Sequence, residues 1–305
     1  MRLIHDLDAV TSSERGAILS IGKFDGLHAG HAEILRTLVG QARRRGVCSA
    51  VFTFDPAPVE ILRPAFAVPP LCTLARKIEL IESFGPDLLV VFPTTRAFLE
   101  LSADEFFRRV VLDAFAATGM VEGKDFNFGS NRSGNCDRLR TLCSNHALSL
   151  DVVSPICALG REVSSSRIRA LLREGEIAAA RAMLTRPYRM TGCVVHGEHR
   201  GRRLGFPTAN LSGVKTILPK TGVYAVRAVL EQGVFPAALN IGGNPTFGVS
   251  AVKIEAHLLD FSGDLYGQTV SLDLYSRLRD LISFDSEQAL IDQMRKDFLA
   301  VRSVK

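Results

Sequence analysis

Two histidines three residues apart, His28 and His31, sit in the run Ile21-Gly-Lys-Phe-Asp-Gly-Leu-His28-Ala-Gly-His31, just after an apolar segment and at the start of a helical pattern. Side chains at that spacing share one helix face. The first turn of a helix presents unpaired N–H groups and a partial positive charge to an anion. Two imidazoles added there can hydrogen-bond phosphate oxygens as charge moves onto them. Gly30 between them allows a ligand close to the backbone. Zinc is a poor alternative, because no third ligand lies nearby. A bare HxxH also fits a helix cap with incidental histidines. Its place at the first strand-to-helix turn, with glycines on both sides, favours phosphate chemistry.

Two later segments offer compatible chemistry. Val163-Ser-Ser-Ser-Arg167-Ile-Arg169 puts small hydroxyls beside a helix start, with arginines that can grip phosphate bidentately. Gly201-Arg-Arg-Leu-Gly205-Phe-Pro207-Thr208-Ala-Asn210 combines a tight, phosphate-accessible loop with two hard oxygen donors, Thr208 and Asn210, which suit Mg²⁺. Alone, the first would be a capped helix with exposed arginines and the second an ordinary turn.

The elements that must position these residues change grammar along the chain. Ala17–Gly22, Cys48–Phe54 and Asp87–Phe92 read as buried strands. They alternate with helical stretches over His31–Arg45, Lys77–Phe84 and Asp104–Ala117, the last capped by Ser102 or Asp104. Such alternation predicts a parallel, doubly wound α/β sheet whose ligands bind at the carboxyl ends of the strands. A helical stretch over Arg167–Leu184 ends at Thr185-Arg-Pro-Tyr188, which sets a domain boundary between residues 185 and 186. Beyond it, strands over Arg189–Val195, Val223–Leu230, Phe235–Ile241, Val252–Asp260 and Thr269–Leu274 predict an antiparallel barrel or sandwich. A helix over Ser286–Val301 closes the chain.

Composition excludes other classes. The 305 residues carry a net charge of +5, with 47% hydrophobic and 23% charged residues, as in a packed globular protein. The acidic, interrupted N-terminus does not read as a signal peptide, and no apolar run approaches the roughly 20 residues that span a bilayer. A cytoplasmic protein is expected, without membrane contact. The six cysteines make no CxxC pair and read as reduced thiols. The basic runs Arg43–Arg45 and 198–203 suit a polyanion such as ATP. They lack the interleaved aromatics of a nucleic-acid platform, so small-molecule partners are expected and nucleic acid is not. A monomer or weak homo-oligomer is expected.

The HxGH form resembles the nucleotidylyltransferase signature, and Ser164–Arg169 resembles that superfamily's second basic element. Thr53-Phe-Asp55-Pro-Ala-Pro58 and Gly123-Lys-Asp125-Phe-Asn127-Phe-Gly129 narrow the likeness to the FMN adenylyltransferase half of the prokaryotic bifunctional riboflavin kinase/FAD synthetases. The GxPTAN string, Pro219–Ala225, Asn240–Thr246 and Ile254–Asp260 resemble riboflavin kinase. The resemblance implies a Rossmann-like nucleotidylyltransferase domain (1–185) and a six-stranded kinase barrel with a C-terminal helix (186–305). It implies riboflavin, FMN and FAD as substrates and products, ATP as co-substrate and Mg²⁺ in both steps. It places His28, His31 and Arg167 in adenylyl transfer and makes Glu255 the base on the ribityl hydroxyl. It puts ATP against Gly22, Phe24, Gly30, Ser164, Ser165 and Ser166 in one half, and against Gly201, Gly205 and Pro207 in the other. Asp55, Asp125, Asn127 and Arg279 fall beside the flavin, and Thr208 and Asn210 hold the metal. Three positions depart from the family pattern: Ala57 stands where a histidine is usual, and Leu281 and Ser283 replace two charges near the flavin. Ala57 removes one polar contact from the adenylyltransferase pocket, and Leu281 and Ser283 lead us to expect kinase activity with an altered riboflavin affinity. Two other readings stay open: a chain with one working half, and a flavin- or nucleotide-binding regulator without turnover.

Overall fold

The computed structural model describes residues 1–197, 201, 204–244 and 249–304. Most of the basic run 198–203, and Pro245 and Thr246, therefore lie outside the described residues. The chain divides into two compact units, Met1–Val68 with Leu74–Ser164, and Pro69–Thr73 with Ser165–Lys305.

In the first unit, β1 (Arg2–Ile4), β2 (Ile18–Ile21), β3 (Ser49–Asp55), β4 (Leu88–Pro93), β5 (Gly119–Gly123) and β6 (Ser149–Val153) form one parallel sheet ordered β1-β4-β3-β2-β5-β6. A short hairpin, β7 (Cys157–Ala158) with β8 (Arg161–Glu162), follows. Strand residues alternate between two cores, as a period of two requires. Ile18, Val51, Leu89 and Val121 face one layer with Leu35 and Leu38 of α1 (Ala29–Arg45). Leu19, Phe52, Val90 and Met120 face the other with Phe106 and Leu139. The remaining helices of this unit are α2 (Pro58–Leu62), α3 (Leu74–Glu82), α4 (Arg96–Leu99), α5 (Ala103–Phe106) and α6 (Cys136–Asn145). Burying each such aliphatic or aromatic side chain contributes about 1.5–3 kcal/mol.

Local chemistry explains the helix ends. α1 stops at Gly46, whose φ of 65° lets its N–H reach the carbonyls of Ala42 and Arg43. Arg43–Arg45 fall in its last turn, where cations complement the carbonyl end of the dipole. Ser102 and Glu105 exchange reciprocal hydrogen bonds at the start of α5. The stretch expected as one helix from Asp104 widens into a π-helix over Phe107–Ala114.

The second unit begins with α7 (Ser165–Glu174) and α8 (Ile177–Met183). The single helix expected over Arg167–Leu184 is thus two. Gly175 turns between them at a φ of +82°, and a side chain there would press within 2.6 Å of Arg277 Cδ. Six antiparallel strands then close a barrel: β9 (Tyr188–Val195), β10 (Ala209–Ser212), β11 (Gly222–Leu230), β12 (Gly233–Asn244), β13 (Val249–Leu258) and β14 (Thr269–Arg279). The order around it is β10-β13-β12-β11-β14-β9. Of the expected barrel or sandwich, the barrel forms. Met190, Leu239, Ala256 and Leu272 fill it.

α9 (Glu287–Ser303) is capped by Ser286. Asp297 of this helix is 6% exposed and accepts from Arg279 Nη2 at 2.7 Å, from Arg279 Nε at 3.1 Å and from Gln293 at 2.9 Å. Removing one partner of such a pair strands the other charge. Asp297→Ala should therefore destabilise the barrel by about 3 kcal/mol. Hydrogen exchange of the β14 amides measures this; a loss below about 0.5 kcal/mol would show that the pair does not fasten the helix.

Candidate functional site

The order of the parallel sheet reverses between β2 and β5, and there the two strands part. Their ladder pairs Ile18 with Gly119 and Leu19 with Met120. Two residues on, the Ile21 N–H donates to Glu122 Oε1 at 2.7 Å, while on the other flank the Gly22 N–H donates to Phe52 O at 2.9 Å. Glu122 is 2% exposed. Burial pushes its carboxyl well above the usual range, the Ile21 N–H opposes that shift, and Asp125 adds to it. This parting opens the crevice where ligands bind in such sheets.

The chain leaves β2 through Gly22–Leu27 and enters α1. Phe24 and Leu27 adopt φ of 47° and 38°. A side chain on Gly22 would lie 3.1 Å from the Phe24 ring, so this glycine admits a buried aromatic. His28 caps α1, its Nδ1 accepting the His31 N–H at 3.4 Å. Because Nδ1 accepts, the proton of a neutral His28 resides on Nε2. The two imidazoles stack at 3.7 Å and 18°, and Phe24 meets His31 edge-on at 5.3 Å. A Cβ on Gly30 would lie 3.2 Å from His28 Cε1. Its absence makes room for this ring, a different use of the glycine from the close ligand approach expected.

Burial lowers His28 to about 4, with Asp125 opposing. Burial also holds His31 well below its ordinary value, with His28 and Lys77 adding to the shift. Both rings are neutral at pH 7. His31 Nδ1 is buried without a hydrogen-bond partner. The arrangement offers oriented neutral donors at a helix N-terminus, suited to an anion whose charge grows during reaction.

Asp55 ends β3, and Asp125 and Asn127 follow β5, so all three lie past the carboxyl ends of the strands flanking β2. Asn127 Nδ2 donates to Asp125 O at 2.6 Å. Thr53 Oγ1 donates to Lys23 O at 3.3 Å and ties the loop after β2 to β3. Phe128 belongs to the core. Ser165, Ser166 and Arg167 form the first turn of α7 in the second unit, and Ser164 ends the first.

In the second unit the residues expected to act lie on the outside of the barrel. Along β13, Ile254, Ala256 and Leu258 are buried while Lys253, Glu255 and His257 are partly exposed. Glu255 stands opposite Asn210 of β10 and Asn240 of β12, forming one outward row. Two glycines cradle the donors beside it. A Cβ on Gly197 would fall 2.3 Å from Asn210 Nδ2, and one on Gly201 would fall 2.4 Å from Phe206 O and 3.4 Å from Thr208 Oγ1. Gly205 takes a φ of +85°. His257 Nδ1 donates to Pro207 O at 2.7 Å. Arg279 spends its guanidinium on Asp297 and on Asp280 O. Leu281 packs where a Cβ on Gly242 would meet its Cδ1 at 2.6 Å. Among the described residues, no group of three or more His, Cys, Asp or Glu could hold a metal. Thr208 and Asn210 are hard oxygen donors of another kind, and the glycine cradle around them fits a small cation.

Glu122 was not singled out from the sequence, and Asn240 and His257 stood there only inside longer strings with no role of their own. A lone acid in the apolar run Met120-Val-Glu-Gly123 was the signal for Glu122. Asn240 becomes visible only through cross-strand register.

The FAD synthetase family pattern matches residues 10–167, and the riboflavin kinase pattern matches residues 184–305. A bifunctional riboflavin kinase/FMN adenylyltransferase of Pseudomonas fluorescens is 34% identical over 305 residues, covering 100% of this chain and 98% of that protein. Proteins of the same name from Haemophilus influenzae and Escherichia coli are 34% and 32% identical, covering 97% and 99% of this chain and 97% and 96% of those proteins. A crystal structure from Streptococcus pneumoniae, described as a macrolide-efflux protein, matches with a TM-score of 0.88 at 30% identity, covering 100% of this chain and 99% of that one. Among the described residues no helix is long and apolar enough to cross a membrane.

The buried imidazole of His28 makes stability depend on pH. Unfolded, it titrates near 6.5; folded, near 4. Between these values the unfolded chain binds more protons, so the contribution is full above pH 6.5 and is lost as pH falls toward 4. It amounts to about 3 kcal/mol at most. Urea midpoints of the first unit across this window should fall more steeply in the wild type than in His28→Asn. Equal slopes would show that His28 is charged in the fold.

Proposed function

The chain belongs to the bifunctional riboflavin kinase/FMN adenylyltransferase family, and we propose how its two reactions are shared between the two sites. ATP phosphorylates riboflavin to FMN, and FMN is adenylylated by a second ATP to give FAD and pyrophosphate. Residues 1–185 serve adenylyl transfer and residues 186–305 serve the kinase reaction.

The stacked neutral histidine pair carries the first assignment. FMN's phosphate oxygen attacks the α-phosphorus of ATP, the bond to the β-phosphate oxygen breaks, and pyrophosphate leaves with the electron pair. His28 and His31 donate to the α-phosphate as its charge grows, forming neither a covalent bond nor a metal site. Gly22, Phe24 and Gly30 shape the turn that holds the nucleotide, and the resemblance of the sequence assigns Ser164, Ser165, Ser166 and Arg167 to phosphate as well. Asp55, Asp125 and Asn127 border the flavin at the strand ends.

In the kinase half, Glu255 takes the ribityl hydroxyl's proton as that oxygen attacks the γ-phosphorus of ATP; the bond from the γ-phosphorus to the bridging oxygen breaks and ADP leaves with the electron pair. Gly201, Gly205 and Pro207 form the loop over the phosphates. Thr208 and Asn210 would hold Mg²⁺, which neutralises phosphate charge when bound. Arg279, anchored by Asp297, shapes the flavin-side loop. Leu281, seated on Gly242, supplies an apolar contact there in place of a charge, and riboflavin affinity is altered accordingly. Small molecules are the only partners in this reading, with a monomer or weak homo-oligomer working in the cytoplasm. Six free cysteines suit that reducing compartment.

Incubation with riboflavin and Mg-ATP, with products separated by chromatography, tests the division. Replacing His28 and His31 together with alanine should cut FAD formation by about 100-fold or more while FMN accumulates. Glu255→Gln should cut FMN formation by a similar factor while supplied FMN still becomes FAD. Normal FAD formation in the histidine variant would remove those residues from the reaction.

A further inference from the structure

Lys77 is a lysine buried in the first unit, 9% exposed. It is the fourth residue of α3 and lies on the inward face that Leu80 and Ile81 continue into the core. Among the described residues no carboxylate pairs with it and no hydrogen bond to its ammonium is formed. The covered stem fixes the side chain while its ammonium is left without a protein partner among those residues, able to meet an arriving anion.

The topology says which anion. α1 follows β2 and α3 precedes β4 in a parallel sheet, so both helices begin at the carboxyl edge, where β2 and β5 part. Both also pack on the same sheet face, through Leu35 and Leu38 on one helix and Leu80 and Ile81 on the other. Lys77 lies about one turn into α3, and His31 lies in the first turn of α1. Charge is graded along the stacked pair. Asp125 acts on His28, whereas Lys77 acts on His31, the ring whose Nδ1 lacks a partner. The negative end is at His28 and the positive end is beyond His31.

We infer that Lys77 holds the β- and γ-phosphates of ATP during adenylyl transfer and faces the charge of the departing pyrophosphate, on the His31 side of the histidine pair. This rests on the placement of that reaction at His28 and His31. As the bond from the α-phosphorus to the bridging oxygen breaks, the electron pair stays with that oxygen. The ammonium meets the new charge by a charge-assisted hydrogen bond and gives up no proton.

The reverse reaction isolates this contact, because pyrophosphate is a substrate of adenylyl transfer alone. FAD and pyrophosphate are converted to FMN and ATP by the full-length enzyme, and the saturation of each substrate is measured. Lys77→Met should raise KM for pyrophosphate by about tenfold or more and leave KM for FAD within about twofold. Lys77→Arg should recover part of the loss. Riboflavin phosphorylation should be unchanged in both variants. The ligand-free Met variant should melt at or above the wild-type temperature, since an unpaired charge has been removed. Unchanged pyrophosphate saturation would overturn the assignment. So would equal losses for both substrates together with a lowered melting temperature, the mark of a packing role. The histidine double variant separates the two readings. If it forms FAD normally, the location of the reaction fails, and the lysine's role with it. If it is inactive while Lys77→Met saturates with pyrophosphate as the wild type does, the lysine assignment alone fails.

Discussion

The adenylyl-transfer half depends on one parting of strands. β2 and β5 share a ladder only at Ile18–Gly119 and Leu19–Met120, after which the Ile21 N–H has no backbone partner. An unpaired buried N–H costs about as much as a lost hydrogen bond. Glu122 removes that cost with its own carboxyl, at the expense of burying an ionisable group. The crevice so stabilised is where the first strand-to-helix turn must deliver its ligand-binding groups. The glycines of that turn have specific uses: Gly22 accommodates Phe24, and Gly30 accommodates His28. The histidine pair is therefore held by packing against Phe24 and by capping of α1, and burial keeps it neutral.

Neutrality bears on catalysis. Two imidazolium ions 3.7 Å apart would repel each other, and burial already disfavours either charge. In the role proposed for it, a neutral pair would donate hydrogen bonds without strongly stabilising the ground-state triphosphate. Such donors gain most as negative charge develops, which is the condition for lowering a barrier and not merely binding a substrate.

The barrel solves a different problem. Its interior is filled by side chains such as Met190, Leu239 and Leu272, so no ligand can enter it. The kinase role proposed for Glu255 therefore falls on the outer face, where Asn210, Glu255 and Asn240 align across three strands. Rigid register takes the place of an enclosed cavity in positioning the carboxylate. Gly197 and Gly201 leave room beside Asn210 and Thr208, the oxygen donors proposed to hold Mg²⁺.

What was legible in the sequence follows from locality. The HxGH turn, the GxPTAN string and the alternation of strands and helices are all contiguous patterns, and each is found where it was read, while the compact units divide at Ser164 and not near Tyr188. The break between α7 and α8 was missed because Gly175-Glu-Ile177 interrupts the helix through a left-handed glycine, with no proline to mark it. β10 was missed because four residues carry too little periodicity. The row around Glu255 depends on register between strands distant in sequence, which no local pattern encodes. Lys77 was read only as the start of an amphipathic helix. In sequence a lysine there is indistinguishable from a solvated charge; only the packing of α3 beside α1 turns it inward. Residues whose placement arises from two elements meeting are the ones that sequence conceals, and Lys77 and Asn240 are both of that kind.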